Sequence, residues 1–204
     1  MPRRESIAER RERKAAVDDP AVVLEAAARF LEARSRSIHE VRRRLTQAGY
    51  RPDLVEGAIE RMLELGMLDD EAFARAWVES RDRARPRGER AIREELRLKG
   101  VHQASVDLVL EERRQAAAAG PGGSEPSDGG GSVDRQAAER LLIRHARALE
   151  RVADPRQRRQ RAYALLARNG FDPETCREVA GRLETGTAGR SGTTITEDVE
   201  DSGD

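Results

Sequence analysis

The sequence predicts an all-α fold of tandem three-helix repeats. Apolar residues recur at helical spacing over 20–119 and 133–184, and neither segment alternates in the manner of a half-buried strand. Helix start and stop signals flank the periodic stretches. Aromatic residues make up only 3% of the chain, so a core must be built mostly from Leu, Val, Ile and Ala. Such a core suits packed helices.

Three predicted helices are preceded by residues that can cap a helix N-terminus. Asp19-Pro20 and Asp172-Pro173 each place a capping carboxylate before a proline at the first helical position. Ser37 is followed three residues later by Glu40, which is the spacing of a capping box. These signals predict helices beginning at 20, 38 and 173.

Asp69 and Asp70 precede a further predicted helix, which carries Phe73 and Trp77 on adjacent turns. Two neighbouring carboxylates could also serve a metal or an acid/base reaction. Adjacent positions at a helix start do not face each other, so capping by one of them is the better interpretation. Glycines fall where the helices are predicted to end: Gly49, Gly66, Gly100 and Gly170.

Gly49, Gly100 and Gly170 mark a weak internal repeat, because apolar residues stand at the same sequence separations from each of them. The equivalent residues lie four before the glycine (Leu45, Leu96, Leu166), one after (Tyr50, Val101, Phe171), six after (Val55, Val106, Cys176) and nine after (Ala58, Val109, Val179). Each copy predicts a helix, a glycine turn and a second helix, with an earlier helix before the pair. We therefore expect nine helices in three triplets that stack in an elongated array and share a core.

Composition and the helix signals together divide the chain into six segments. The predicted organisation is a charged, disordered tail (1–19), repeat one (20–68), repeat two (69–119), a Gly/Ser/Pro linker (120–133), repeat three (134–184) and an acidic, disordered tail (185–204).

Charge is balanced overall, with 38 Lys and Arg against 38 Asp and Glu, so the chain is no wholesale polyanion binder. It is unevenly distributed, however. A segment joining two predicted helices of repeat two holds eight cationic residues, which we predict to contact a partner: Arg81, Arg83, Arg85, Arg87, Arg90, Arg93, Arg97 and Lys99. Solvated helix faces with ion pairs one turn apart are the competing interpretation.

Signs of catalytic or metal chemistry are lacking. The three histidines have no metal-ligand spacing to one another or to Cys176, and the glycine-rich segment lacks the Lys-Ser/Thr ending of a phosphate-binding loop. Cys176 takes the place of Val55 and Val106 in the repeat, which predicts a buried core position. We therefore expect no enzyme activity, no cofactor, no metal and no membrane span, and a cytoplasmic protein.

Three segments together resemble the RecX regulatory protein family. They begin at Ser37, Gly66 and Gly88, and the most specific are Gly-x-Leu-Asp-Asp-x-x-Phe-Ala-x-x-Trp and Glu-Leu-x-x-Lys-Gly-Val. The positions that carry the resemblance are Ser37, Glu40, Leu45, Gly49, Gly66, Leu68, Asp69, Asp70, Phe73, Ala74, Trp77, Glu95, Leu96 and Gly100. The match is good over about 22–115 and loose over 135–184.

The resemblance implies tandem three-helix repeats and a regulator without enzymatic activity. Such proteins bind the RecA recombinase, chiefly its filament on single-stranded DNA, and inhibit its recombinase, ATPase and co-protease activities in DNA repair and the SOS response. A monomer that makes weak direct contact with DNA is the corresponding expectation. Two other functions stay open: a helix-turn-helix DNA-binding regulator and a helical adaptor between other proteins.

Overall fold

The computed structural model describes residues 6–118 and 131–185, and within these ranges the regular secondary structure is entirely helical. The all-α prediction is confirmed. The ten helices are α1 (Ile7–Ala15), α2 (Pro20–Glu32), α3 (Ile38–Ala48), α4 (Pro52–Glu64), α5 (Asp70–Ala84), α6 (Glu89–Leu98), α7 (Gln103–Ala118), α8 (Gly131–Glu150), α9 (Pro155–Arg168) and α10 (Pro173–Thr185). Helices α2–α4, α5–α7 and α8–α10 form the three predicted triplets.

Helix starts follow the predicted capping residues. The Asp19 carboxylate accepts a hydrogen bond from the Ala21 backbone N–H at 2.9 Å, with Pro20 at the first helical position. Asp172 likewise accepts from the Glu174 N–H. Of the pair Asp69-Asp70, Asp69 is the cap of α5, because its Oδ1 accepts from the Glu71 and Ala72 N–H groups in the first turn of that helix.

The predicted internal repeat is confirmed by burial. All four glycines expected to end helices have positive φ, between 66° and 101°. The residues four before and one, six and nine after the three repeat glycines are all buried, and Cys176 is a free, fully buried core thiol. The motif side chains Leu68, Phe73 and Ala74 are buried with them.

The prediction that the triplets share one core is wrong. Each encloses a separate cluster: one around Val41 and Ile59, a second around Phe73 and Ile92, and a third around Leu142 and Phe171. Three helices bury enough Leu, Val and Ala within each triplet to form a core. Hydrogen bonds and ion pairs connect neighbouring triplets.

The charged segment before residue 20 contains a helix, so the prediction of a disordered tail is wrong for α1. Ser6 and Glu9 form a complete capping box, with the Glu9 N–H donating to Ser6 Oγ and the Ser6 N–H to the Glu9 carboxylate. This Ser-x-x-Glu spacing was the available sequence signal. The Lys14 ammonium lies 4.5 Å from the centre of the Tyr50 ring, and Val17 packs against the core of repeat one.

Helix α8 begins at Gly131, inside the range assigned to the linker. Residues 120–130 of that predicted linker lie outside the described residues, as do residue 119 and the acidic tail from 186. No helix of the described ranges is both long and apolar enough to cross a membrane.

Candidate functional site

The junctions between triplets are built alike, and each depends on a glycine at the end of a middle helix. Gly100 ends α6 and lies against the first turn of α3, where an added Cβ would stand 2.4 Å from the Cβ of His39. Gly170 ends α9 and lies against the first turn of α6, where an added Cβ would stand 2.4 Å from the Cβ of Ala91. Only glycine suits these positions, since φ is positive and a neighbouring helix fills the space.

A carboxylate from the following triplet caps the middle helix at both junctions. Asp70 of α5 accepts from the Ile38 N–H of α3 at 2.9 Å, and Asp134 of α8 accepts from the Glu89 N–H of α6 at 2.8 Å. Burial raises the pKa of both aspartates above the ordinary value. The pair Asp69-Asp70 therefore caps two helices, one in its own repeat and one in the repeat before.

Ser37 has a double role at the first junction. Its hydroxyl donates to the Lys99 carbonyl at 2.6 Å and accepts from the Glu40 N–H at 3.2 Å. The predicted capping box is incomplete, because the Glu40 carboxylate accepts from Lys99 Nζ at 2.6 Å instead of from the Ser37 N–H. Glu40 also pairs with Arg34.

Gly88 stands where Ser37 stands, twelve residues before the repeat glycine. Its backbone N–H donates to the Asn169 carbonyl at 3.0 Å, so the main chain replaces the serine hydroxyl at the second junction. The Arg87 guanidinium donates to the Asn169 side chain at 2.8 Å. Asn169 and Lys99 occupy equivalent positions, one residue before the glycine.

A buried ion cluster strengthens the second junction. The Arg113 guanidinium donates to Asp82 and Asp134, with shortest distances of 2.8 Å to each, and its side chain is only 6% exposed. Burial disfavours the charge on Arg113, but the two carboxylates raise its pKa above the ordinary value. This cluster could not be predicted from local sequence patterns, because Arg113 and Asp134 belong to different triplets.

The N-terminal helix covers the corresponding surface of the first triplet. Gly49 ends α3 as Gly100 ends α6, and an added Cβ there would stand 3.0 Å from Cα and the carbonyl oxygen of Arg11. Helix α1 thus lies where a preceding repeat would lie, and it closes one end of the array.

Trp77 connects the core of repeat two to the predicted basic patch. Its ring lies 5.9 Å from that of Phe73, and its Nε1–H donates to Glu95 at 2.8 Å. The guanidinium of Arg81 and the ammonium of Lys99 lie 4.2 and 4.9 Å from the ring centre. The motif residues Trp77 and Glu95 therefore fix two of the eight predicted contact residues.

Most of the predicted basic patch is neutralised within the molecule. Six of its eight residues contact carboxylates: Arg81 and Arg87 (Glu95), Arg83 (Glu79), Arg93 (Glu89 and Asp107), Arg97 (Glu94) and Lys99 (Glu40). Arg85 and Arg90 are exposed and pair with no carboxylate of the described residues. Unneutralised positive charge in this segment is therefore confined to those two positions.

Repeat three exposes more cationic side chains. Seven of its arginines are exposed and pair with no carboxylate in the described part of the chain: Arg144, Arg147, Arg151, Arg156, Arg161, Arg168 and Arg177. Of these, Arg144 donates to the backbone carbonyls of Arg83 and Ala84. The three histidines are exposed as well, and no group of His, Cys, Asp and Glu among the described residues could hold a metal ion.

Sequence comparison matches the first two triplets to known domains. The family described as "RecX, first three-helix domain" matches residues 24–62, and "RecX, second three-helix domain" matches residues 69–110. Regulatory protein RecX of Mycobacterium sp. (strain JLS) is 32% identical over 154 residues, which cover 74% of this chain and 75% of the relative. Regulatory protein RecX of Chlorobium limicola is 31% identical over 157 residues, covering 77% and 86%.

Solved structures agree on the fold. The crystal structure of RecX from Lactobacillus salivarius aligns with a TM-score of 0.65 at 17% identity and covers 82% of this chain and 98% of that one. A second crystal structure, of a regulatory protein RecX, aligns with a TM-score of 0.63 at 18% identity, covering 79% and 71%. Both matched domains occur in order, and the identity exceeds 30% over at least three quarters of each of the two relatives. The chain belongs to the RecX family of regulatory proteins.

Proposed function

We propose that the protein binds the RecA recombinase, in particular its filament on single-stranded DNA, and inhibits its recombinase, ATPase and co-protease activities. Membership of the RecX family carries this proposal. The protein would act in the cytoplasm as a regulator of DNA repair and the SOS response, and as a monomer.

The repeated architecture supports this function. A recombinase filament presents the same surface many times, and an array of three similar units can engage neighbouring subunits through several weak contacts. Linked contacts of this kind add through effective concentration, so the whole array binds more tightly than one unit.

Charge pairing in the 81–99 patch supports a protein surface as the partner of that patch. Six of its eight cationic residues are neutralised by carboxylates, so the patch carries little of the unpaired positive charge that drives non-specific DNA binding. Patches of opposite sign give complementarity to a protein surface. Within the patch, we propose that Arg85 and Arg90 contact the filament.

ATP hydrolysis by RecA on single-stranded DNA tests the main proposal. We expect inhibition when the protein is present at well below one molecule per recombinase subunit. Unchanged hydrolysis at equal amounts of the two proteins would refute it. Sequence-dependent binding to duplex DNA without recombinase would instead favour the helix-turn-helix regulator.

A double substitution tests the proposed contact. We expect Arg85→Ala with Arg90→Ala to raise the concentration needed for half-maximal inhibition. The matched control is Arg83→Ala with Arg97→Ala, which removes the same charge from exposed side chains that already have carboxylate partners. Equal effects of the two pairs would assign the loss to net charge and not to this contact.

A further inference from the structure

A groove on repeat three is lined by cationic and aromatic side chains from two helices. Its volume is about 490 Å³, and its lining residues are Arg156, Arg159, Gln160, Tyr163 and Arg177. The first four lie on one face of α9, at spacings of three and four residues, and Arg177 comes from α10. No carboxylate belongs to this described lining.

The cavity at the second junction is a useful contrast, because its cationic residues are matched by acids. It has a volume of about 380 Å³ and lies between α5, α7 and α8. Its Arg75 pairs with Glu112 at 2.8 Å, and its Arg113 pairs with Asp82. Arg156 and Arg177 in the groove are exposed and pair with no carboxylate of the described residues. Internal ion pairing accounts for the charges of Arg75 and Arg113 and does not account for those of Arg156 and Arg177.

The groove lies at the last middle helix of the described repeats. Gln160 is ten residues before Gly170, as His39 is ten before Gly49, and Gly100 of the following triplet lies against the Cβ of His39. No fourth triplet follows within the described residues. Helix α9 also starts earlier than its counterparts: Asp154 lies sixteen residues before Gly170, whereas Ser37 lies twelve before Gly49. The extra turn supplies Arg156.

The chemistry of the lining identifies a class of ligand. Guanidinium groups bind phosphates through two parallel hydrogen bonds. Tyr163 packs against the core of repeat three and is half-buried, so its ring is held in place where it lines the groove. A fixed aromatic ring beside cations is the arrangement on which single-stranded nucleic acids stack their bases. An acidic protein segment would use the arginines but has no need of the ring.

We propose that this groove binds single-stranded nucleic acid, with phosphates on Arg156, Arg159 and Arg177 and a base against Tyr163. Binding is independent of base sequence, since phosphate contact and stacking read no base edge. The site needs no recombinase, so its test is separate from that of the proposed inhibition.

Fluorescence anisotropy of the full chain with a labelled oligothymidylate of about 16 nucleotides tests the site. We expect Arg156→Gln with Arg177→Gln to weaken binding about tenfold or more and to make the salt dependence shallower by about 1.4 in log–log slope, for two lost phosphate contacts. Tyr163→Leu, which keeps an apolar packing group, should weaken binding about fivefold or more without changing that slope. Circular dichroism checks that each variant is folded.

The matched control is Arg83→Gln with Arg97→Gln, which changes the net charge equally on exposed, internally paired side chains. We expect its affinity to stay within about twofold of the parent protein. Equal losses in the two double variants, or unchanged binding by the Arg156 and Arg177 variant, would overturn the site. Competition by polyglutamate as effective as that by unlabelled oligonucleotide of equal charge would assign the groove to an acidic protein surface instead.

Discussion

The two junctions solve the same packing problem with different side chains. Both use a glycine with positive φ and an aspartate from the next triplet that caps a middle helix. The first junction adds a serine hydroxyl and a partly exposed Lys99–Glu40 pair, while the second adds a backbone hydrogen bond from Gly88 and the buried Arg113 cluster. Backbone geometry is thus common to the repeats, and the strength of each junction depends on its charges.

The different contacts at the two junctions match the different lengths of chain that connect the triplets. Residues 69 and 70 come directly after the first triplet, whereas residues 119–130 separate α7 from α8. A short connection restricts how far two triplets can separate, and a longer one restricts them less. Arg113 pairs with both Asp82 of repeat two and Asp134 of repeat three. It therefore provides a direct contact across the second junction, where the connecting segment is long.

Removal of Arg113 should have the largest effect. We expect Arg113→Ala to lower the free energy of unfolding, or of docking repeat three, by about 3–5 kcal/mol, because the buried Asp134 and the partly buried Asp82 lose their shared cation. Chemical denaturation followed by circular dichroism measures this loss. Arg114→Ala is the control, since Arg114 pairs with Glu89 and Glu111 at a more exposed site, and it should cost about 1 kcal/mol or less. Equal losses would contradict the role assigned to the buried cluster.

Gly88→Ala should be the next most damaging change. An added methyl group would lie 2.3 Å from the Gly170 carbonyl oxygen, although the φ of Gly88 is an ordinary −71°. The clash should therefore destabilise the second junction by about 1–3 kcal/mol. Thermal unfolding of the variant measures the effect.

Gly57→Ala provides the comparison for Gly88→Ala. Gly57 lies within α4, and no atom lies within 4 Å of its added Cβ beyond its own helix backbone and chain neighbours. Higher helix propensity should then stabilise the protein by up to about 1 kcal/mol. Destabilisation by both substitutions to the same extent would rule out a specific clash at the junction.

Ser37→Ala should weaken the first junction by a smaller amount. The variant loses the hydrogen bond to the Lys99 carbonyl and the cap on the Glu40 N–H, for a combined cost of about 1–2 kcal/mol. Amide hydrogen exchange should show faster exchange at the start of α3 and at Lys99–Gly100, with α9 and α10 unaffected. Faster exchange confined to α9 would contradict this assignment.

Glu40→Gln should have the smallest effect, and one that depends on pH. Burial opposes ionisation of Glu40, but hydrogen bonds from Lys99 and Arg34 lower its pKa below the ordinary 4.5. The ionised carboxylate therefore stabilises the fold at neutral pH, and this contribution is lost as pH falls through the folded-state pKa. We expect a cost of up to about 1 kcal/mol at neutral pH that disappears in acid.

Asp70→Asn tests the sign of that argument at the same junction. Burial raises the pKa of Asp70, so its titration favours the folded state in acid, and this contribution is lost as pH rises through the folded-state pKa. The stability difference between Asp70→Asn and the parent should therefore vary with pH in the direction opposite to that for Glu40→Gln. Unfolding titrations over the acid range compare the two variants.

Local signals predicted the parts of the fold that depend on neighbours in sequence. Asp19 and Asp69 cap the helices that follow them, and the glycines at 49, 100 and 170 end the helices that precede them. These features depend on backbone groups only a few residues away, so their pattern is visible without a structure.

Long-range pairings could not be predicted in this way. Ser37 bonds to a carbonyl 62 residues away, and Arg113 bonds to an aspartate beyond the segment of 119–130. The charge count of the 81–99 segment likewise missed partners outside it, such as Glu40 and Asp107. The separate cores were also not predicted. Periodicity identifies the buried face of each helix but does not say which helices pack against one another.

We propose that the junctions hold three separately cored repeats together as the unit that acts on the recombinase. RecA ATP hydrolysis on single-stranded DNA tests it most directly when the parent protein, Gly57→Ala and Gly88→Ala are compared at a temperature where all three are folded. We predict equal inhibition by the parent and Gly57→Ala, and a requirement for about tenfold more Gly88→Ala, since undocking repeat three removes its linked contacts. Equal inhibition by all three proteins would contradict the claim.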